Sequence, residues 1–172
     1  MLLKIIGIII VLVSSSLIGI QLGKQLENRR NDLRCTNLAL QVLEKEISFL
    51  SNSLPDALIF ASNVKSNVSR IFKECGILLK SKQGYCADDA WKISVESNIS
   101  HTYLNKEDKE ILLNLSKSLG YYDIEHQVNS FKMIGSQIAI QEKKAQDIME
   151  REVKLYKKLA ILGGVAIVIV LV

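Results

Sequence analysis

The chain predicts an all-α protein, a six-helix bundle flanked by N- and C-terminal transmembrane helices. Three observations lead there. One proline and nine glycines in 172 residues are few for a strand-and-turn architecture and favour long helices. In the middle of the chain, apolar residues recur three, four and seven apart, the period of one helical face. Each end carries an apolar run. The expected organisation is an anchor over residues 1–24, a helical bundle domain over 25–154 and a second anchor over 155–172.

The first anchor, LLKIIGIIIVLVSSSLIGIQLG from Leu2 to Gly23, is interrupted mainly by Lys4 and by Ser14 to Ser16. About 20 apolar residues cross a hydrocarbon core as a helix, and serine hydroxyls can return to carbonyls one turn back. A cleaved signal peptide fits less well, because the run is long and no clear small-x-small site follows it. The second anchor, LAILGGVAIVIVLV from Leu159 to Val172, is extended by Leu155 and Tyr156. Gly163 and Gly164 mark either a close helix–helix approach or a flexible point in a lipid-facing helix. Lys24, Arg29, Arg30 and Arg34 follow the first anchor, and Lys154, Lys157 and Lys158 precede the second. The excess of inner-flank cations predicts a two-pass membrane protein with the middle in the cytoplasm and both termini outside.

Between the anchors, Leu33, Leu40, Leu43, Ile47 and Leu50 form the stripe of a first bundle helix over Asn28 to Leu50, with Glu44, Lys45 and Glu46 facing elsewhere. Ser53-x-x-Asp56 with Pro55 predicts the start of a second helix. Val68 to Lys80 predicts a third, and Lys82-Gln83-Gly84 a turn. Ala87 to Ser97 predicts a fourth, opened by Asp88 and Asp89 near its positive end, with Trp91 packed in the core. Asn105-x-x-Asp108 caps a fifth helix whose stripe runs to Leu119, with Gly120 in the left-handed terminal position. A sixth helix starts after Asp123 and can run unbroken into the second anchor.

LSKSLGYYDIEHQ, residues 115–127, is the stretch richest in groups that could do chemistry. It reads as a helix junction. Gly120 ends one helix, Asp123 accepts from the first amides of the next, and Gln127 shares a face with Asp123. His126 and His101 each stand without a second histidine nearby, and a metal site needs three or four convergent ligands. No GxGxxG or GxxxxGK[ST] occurs. The sequence therefore predicts no catalytic residues, no cofactor and no metal. Cys35, Cys75 and Cys86, odd in number and without CxxC spacing, predict reduced thiols of a cytosolic domain. The net charge of +4 is modest and its cations are not clustered with aromatics, so nucleic acid is not the expected partner.

The order and spacing of several short motifs resemble the stage III sporulation protein AB family of endospore-forming bacteria. They are Gly19 with Lys24 and Arg34, Leu43-Glu44, Glu46-Ile47, Ala90-Trp91 and Lys109-Glu110-Ile111. Leu119-Gly120 with Asp123 and Gln127, and the ending from Lys158-Leu159 to Gly163-Gly164, complete the pattern across nearly the whole chain. One departure is Ser53-Leu54-Pro55, where the family typically has Thr-Pro-Leu.

The resemblance implies a non-enzymatic membrane component of the channel-like complex that joins mother cell and forespore. It also implies a helical domain similar to the inner-membrane platform proteins of type II secretion and type IV pilus machines. The implied partners are other membrane proteins of the sporulation complex and the cytoplasmic ATPase of that complex, in an oligomeric assembly. By that analogy Glu44, Glu46, Lys143 and Lys144 are candidate docking residues on charged helix faces. A membrane-tethered helical sensor, relaying movement between its two anchors, is the alternative expectation.

Overall fold

The computed structural model describes residues 2–81, 83–119 and 124–171; side chains are described for residues 21, 23–81, 83–119, 124–152 and 155. The helices are α1 (Leu2–Ser48), α2 (Leu54–Ala61), α3 (Ser69–Lys80), α4 (Ala87–Asn98), α5 (Lys106–Leu115) and α6 (Ile124–Leu171), with short 3-10 turns at Ile99–His101 and Ser116–Ser118. The protein is all-helical, and no strand occurs among the described residues. The chain divides into two compact units. One combines Met1–Asn28 with Lys144–Val172, and the other is Arg29–Lys143.

Among the described residues no helix is long and apolar enough to cross a membrane. The two expected anchors, with Gly163 and Gly164, fall mostly on residues whose side chains lie outside the described set. The described part of the first unit mixes polar and apolar side chains: Lys24, Gln25, Glu27 and Asn28 are exposed on α1, Gln146 Nε2 donates to Glu150 Oε1 at 3.1 Å on α6, and Ile148 and Leu155 of α6 are exposed as well.

The unit Arg29–Lys143 holds the core. Leu33, Leu40, Leu43 and Ile47 of α1 are buried, as their helical spacing requires. α2 starts at the Ser53 cap, whose side chain accepts from the Asp56 amide at 3.4 Å, with Pro55 in the first turn. Ahead of that cap the chain turns through Ser51, which adopts the left-handed conformation at φ 51°. α2 and α3 pack at Gly76, where a Cβ would lie 2.8 Å from Ile59 Cγ1 and 2.9 Å from the Pro55 carbonyl oxygen. An isolated glycine inside an apolar helical pattern signals such a close approach, although periodicity alone gives Gly76 no role.

α3 meets α4 through Phe72 and Trp91, whose rings stand edge to face with centroids 5.2 Å apart. Both side chains are fully buried. Trp91 Nε1 donates to the Leu112 carbonyl oxygen at 2.6 Å. Leu112 lies in the last turn of α5, where carbonyls have no partner within the helix. The indole thus closes the end of α5, and this accounts for a correction. The apolar stripe predicts helix five through Leu119, yet the helix stops at Leu115, tightens into the 3-10 turn and leaves Leu119 extended at ψ 132°. Gly120 and Asp123 lie outside the described residues. Gln127, in the first turn of α6, is buried.

Candidate partner-docking site

Three sets of side chains matter for function: the titratable groups, the buried polar staples and the exposed surface of α1 and α6.

The titratable groups do not converge. Among the described residues no three of His, Cys, Asp and Glu are grouped as metal ligands would be. His101, at the end of a 3-10 turn, and His126, in the first turn of α6, are both exposed. All three cysteines are free thiols. Burial pushes the Cys75 thiol up to about 12, and burial also raises Cys35, so both stay protonated and weakly nucleophilic at neutral pH. Cys86 is exposed and caps α4, with its sulfur 3.5 Å from the Asp89 amide and 3.0 Å from the Asp89 carboxylate.

The buried ionised groups are tied to one another and to backbone. Arg29 donates through Nε and Nη2 to the two carboxylate oxygens of Asp108, at 2.8 and 3.0 Å. Asp108 is fully buried, and it also accepts from the Asn105 amide while its own amide donates to Asn105 Oδ1, both at 2.9 Å. This is the complete capping box expected of Asn105-x-x-Asp108, with a guanidinium fork added. Gln141 of α6 joins it. Its Oε1 lies 3.4 Å from Arg29 Nη2, and its Nε2 donates to Glu107 at 3.2 Å. One turn along α1, buried Asp32 accepts from Ser66 Oγ at 2.6 Å and from the Tyr103 amide at 2.9 Å. Arg29 therefore ties α1 to the first turn of α5, and Asp32 ties it to the α4–α5 connection at Tyr103 and to the α2–α3 connection at Ser66. Read as sequence, Arg29 counts as a cation flanking a membrane segment. In the structure it serves the interior.

The charged faces of α1 and α6 differ from the sequence expectation. Glu46 is buried and accepts from Asn52 Nδ2 at 2.6 Å, so it supports the turn after α1. Glu44 lies 3.5 Å from Lys132 of α6. Side chains two apart on a helix do not share a face, which is why Glu44 and Glu46 form no common acidic patch. Lys143 and Lys144 are exposed on α6. The outer surface also carries large apolar side chains that periodicity did not single out, among them Leu38, Met133 and Ile140.

Comparison with known proteins gives a consistent picture. A family model described as Stage III sporulation protein AB matches residues 4–172. The stage III sporulation protein AB of Bacillus subtilis (strain 168) is 26% identical over 170 residues, which cover 98% of this chain and 99% of that protein. A solved structure of a stage III sporulation protein AB superposes with a TM-score of 0.66 at 25% identity, covering 72% of this chain and 97% of the other.

Proposed function

The chain belongs to the stage III sporulation protein AB family, and from that premise we propose that it is a non-enzymatic platform of the sporulation complex. In this reading it sits in the mother-cell membrane through two anchors, at residues 1–24 and 155–172. The helical domain between them lies in the cytoplasm, both termini lie outside, and the domain holds the cytoplasmic ATPase of the complex against the membrane assembly. The chain works in an oligomer with other membrane proteins of that complex.

The observation that carries the proposal is the extent of the family match, which takes in both apolar ends together with the bundle. The geometry adds to it. The buried ionised residues Arg29, Asp32 and Asp108 are spent on holding helices together, which suits a scaffold that must keep its shape under load. Lys143 and Lys144 are exposed on α6 and available to a partner.

The test uses the full chain in lipid nanodiscs and the purified ATPase of the same complex. Binding is expected, weakened by Lys143→Glu with Lys144→Glu, in which two exposed cations become anions. No binding by a chain whose circular dichroism shows it folded would overturn the platform reading. The topology has its own check at Cys86, the exposed thiol among the three. A membrane-impermeant maleimide should leave it unlabelled in intact cells and label it after lysis. Labelling in intact cells would place the domain outside and remove a cytoplasmic ATPase as partner.

A further inference from the structure

α3 and α4 lie side by side and antiparallel within the unit Arg29–Lys143. Ser66, ahead of α3, and Tyr103, after α4, both donate to the carboxylate of Asp32, so the start of α3 and the end of α4 share one end of the bundle. Two contacts between the helices set their register: Cys75 with Ser94, and the bond from Asn98 Nδ2 to Glu74. Phe72 and Trp91 meet edge to face on the core side of the pair. Away from the core, each helix shows an exposed stripe with the same spacing, four residues and then three. α3 presents Lys73, Ile77 and Lys80, opposite buried Ile71, Phe72 and Cys75. α4 presents Asp89, Ile93 and Glu96, opposite buried Trp91, Val95 and Asn98.

The two stripes carry opposite charge around the same apolar centre. Ile77 and Ile93 are 51% and 40% exposed. From Lys65 to Lys82 the sequence has five cations and one acid, a net +4 that equals the net charge of the whole chain. α4 has Asp88, Asp89 and Glu96 against Lys92, and Lys92 is held by Asp88 at 2.6 Å. With Cys75 level with Ser94, the antiparallel order sets Lys73 level with Glu96 and Lys80 level with Asp89. Ile77 and Ile93 match to within one residue, about 1.5 Å of rise. At 3.6 residues per turn, the isoleucines stand nearest the seam between the helices and the charges on its outer flanks. The charges have surface partners within the chain. Lys80 meets Asp56 at 2.5 Å and Glu96 meets Lys109 at 2.7 Å, and Lys80, Asp56 and Glu96 are each about half exposed.

We propose that the α3–α4 face pairs with the same face of a second copy of this chain, around a twofold axis parallel to the helices. Such an axis leaves height along the bundle unchanged and lays α3 of one copy on α4 of the other, twice. Lys73 then meets Glu96 of the second copy, Lys80 meets Asp89, and Ile77 packs on Ile93, all at matching height. The isoleucines form the centre of the contact and the ion pairs its rim. An axis in this direction also keeps the ends of both bundles where α1 enters and α6 leaves on one side, as two copies in one membrane require. Other occupants satisfy half of the face. An anionic bilayer or an acidic helix drawn to Lys73 and Lys80 is repelled by Asp89 and Glu96 beside them. The inference rests on the oligomeric, membrane-held reading above and names its interface.

The experiment uses the full chain in detergent, with Cys86→Ser removing the exposed thiol. Chains carrying Ile77→Cys and chains carrying Ile93→Cys are mixed and oxidised. A cross-linked dimer is expected from the mixture and little from either chain alone, because the axis sets unlike positions against each other. Sedimentation should show a dimer whose dissociation constant rises about tenfold in Lys73→Glu. Adding Glu96→Lys to the same chain should restore it, since the exchange rebuilds both ion pairs. Circular dichroism checks that each variant is folded. A monomer at every concentration, equal cross-linking of mixed and single chains, or a loss in Lys73→Glu that Glu96→Lys does not restore overturns the inference. So does a chain that stays monomeric and, held in neutral nanodiscs, binds a glutamate-rich helical peptide or anionic lipid vesicles through Lys73. If the chain dimerises and the charge variants leave the dimer untouched, this face fails while the oligomeric reading stands. If cross-linking and exchange behave as expected and the ATPase does not bind, the platform fails while this interface stands.

Discussion

Two regions of the same helical unit are held together by opposite means. Where α3, α4 and α5 meet, the joint is apolar: Phe72 against Trp91, Gly76 letting α2 come close, and one indole N–H closing the end of α5. Where α1 crosses the start of α5, the joint is ionic: Arg29 forked onto Asp108, with Asp32 one turn away holding the Tyr103 amide. Apolar packing tolerates small shifts of any side chain, because dispersion and burial have no preferred direction. A bidentate guanidinium–carboxylate pair inside a capping box fixes angle as well as distance. The apolar joint therefore supplies stability, and the polar joint supplies the registry of α1 on the bundle. That registry positions the outer face of α1, where Arg34 and Leu38 lie.

The largest expected effect tests the apolar joint. Trp91→Ala removes the largest fully buried side chain and should destabilise the domain by about 4 kcal/mol. Trp91→Phe keeps most of the apolar volume but leaves the Leu112 carbonyl without its donor, and should cost about 1–2 kcal/mol. Urea unfolding of the full chain in detergent, followed by circular dichroism, measures both. A smaller loss for Trp91→Ala than for the polar variant below would reverse the assignment of roles.

What the sequence made legible follows the same division. The starts of α2 and α5 were visible at Ser53 and Asn105, because a cap is a local pattern three residues long. The buried face of α1 was visible from Leu33 to Ile47 because period 3.6 is local too, whereas Leu50 of the same stripe lies past the end of α1 and is exposed. Asp108 was visible as a capping residue, but its ion pair was not. Arg29 lies 79 residues away, and nothing in a run of arginines after an apolar segment tells which one turns inward. The end of α5 was misjudged for a similar reason, since the donor that closes it sits 21 residues upstream on α4. Glu46 looked solvated because a charge beside an apolar stripe usually is, and only the turn after Ser48 brings Asn52 back to it. The candidate docking residues were half legible: Lys143 and Lys144 are exposed as their charge suggests, whereas Leu38, Met133 and Ile140 lie off the apolar stripes, so periodicity gave them no role.

A middle-sized effect tests the polar joint. Arg29→Met leaves the fully buried Asp108 carboxylate without its guanidinium and should cost about 3 kcal/mol. Pairing it with Asp108→Asn, which removes the stranded charge, should restore more than half of the loss. The single tryptophan reports unfolding in both, because neither change touches it. Amide exchange separates registry from bulk stability. In Arg29→Met the Tyr103 amide, held by Asp32 one turn from Arg29, should exchange faster relative to α3 amides than in the unchanged protein. Uniform acceleration across both would mean that the pair contributes stability without setting registry.

The smallest effect sets the buried ion pair against one on the surface. The Lys80 ammonium, 2.5 Å from Asp56, and the Ser53 hydroxyl hold the Asp56 carboxyl below its ordinary value of 3.8. A carboxyl depressed in the folded state adds stability that is present above its unfolded value and is lost as pH falls through the folded one. Between neutral pH and about pH 4 the pair should therefore leave the urea midpoint unaffected by pH, and below that the midpoint should fall. Asp56→Asn should flatten part of that acid limb. Both partners are about half exposed, so high salt should erase the difference between Asp56→Asn and the unchanged protein. The same salt should leave the loss in Arg29→Met nearly intact, because Asp108 is out of reach of screening ions. If salt erased both differences alike, the Arg29–Asp108 pair would behave as a surface bridge, and the registry of α1 would have to come from apolar contacts such as those of Leu33 and Leu40.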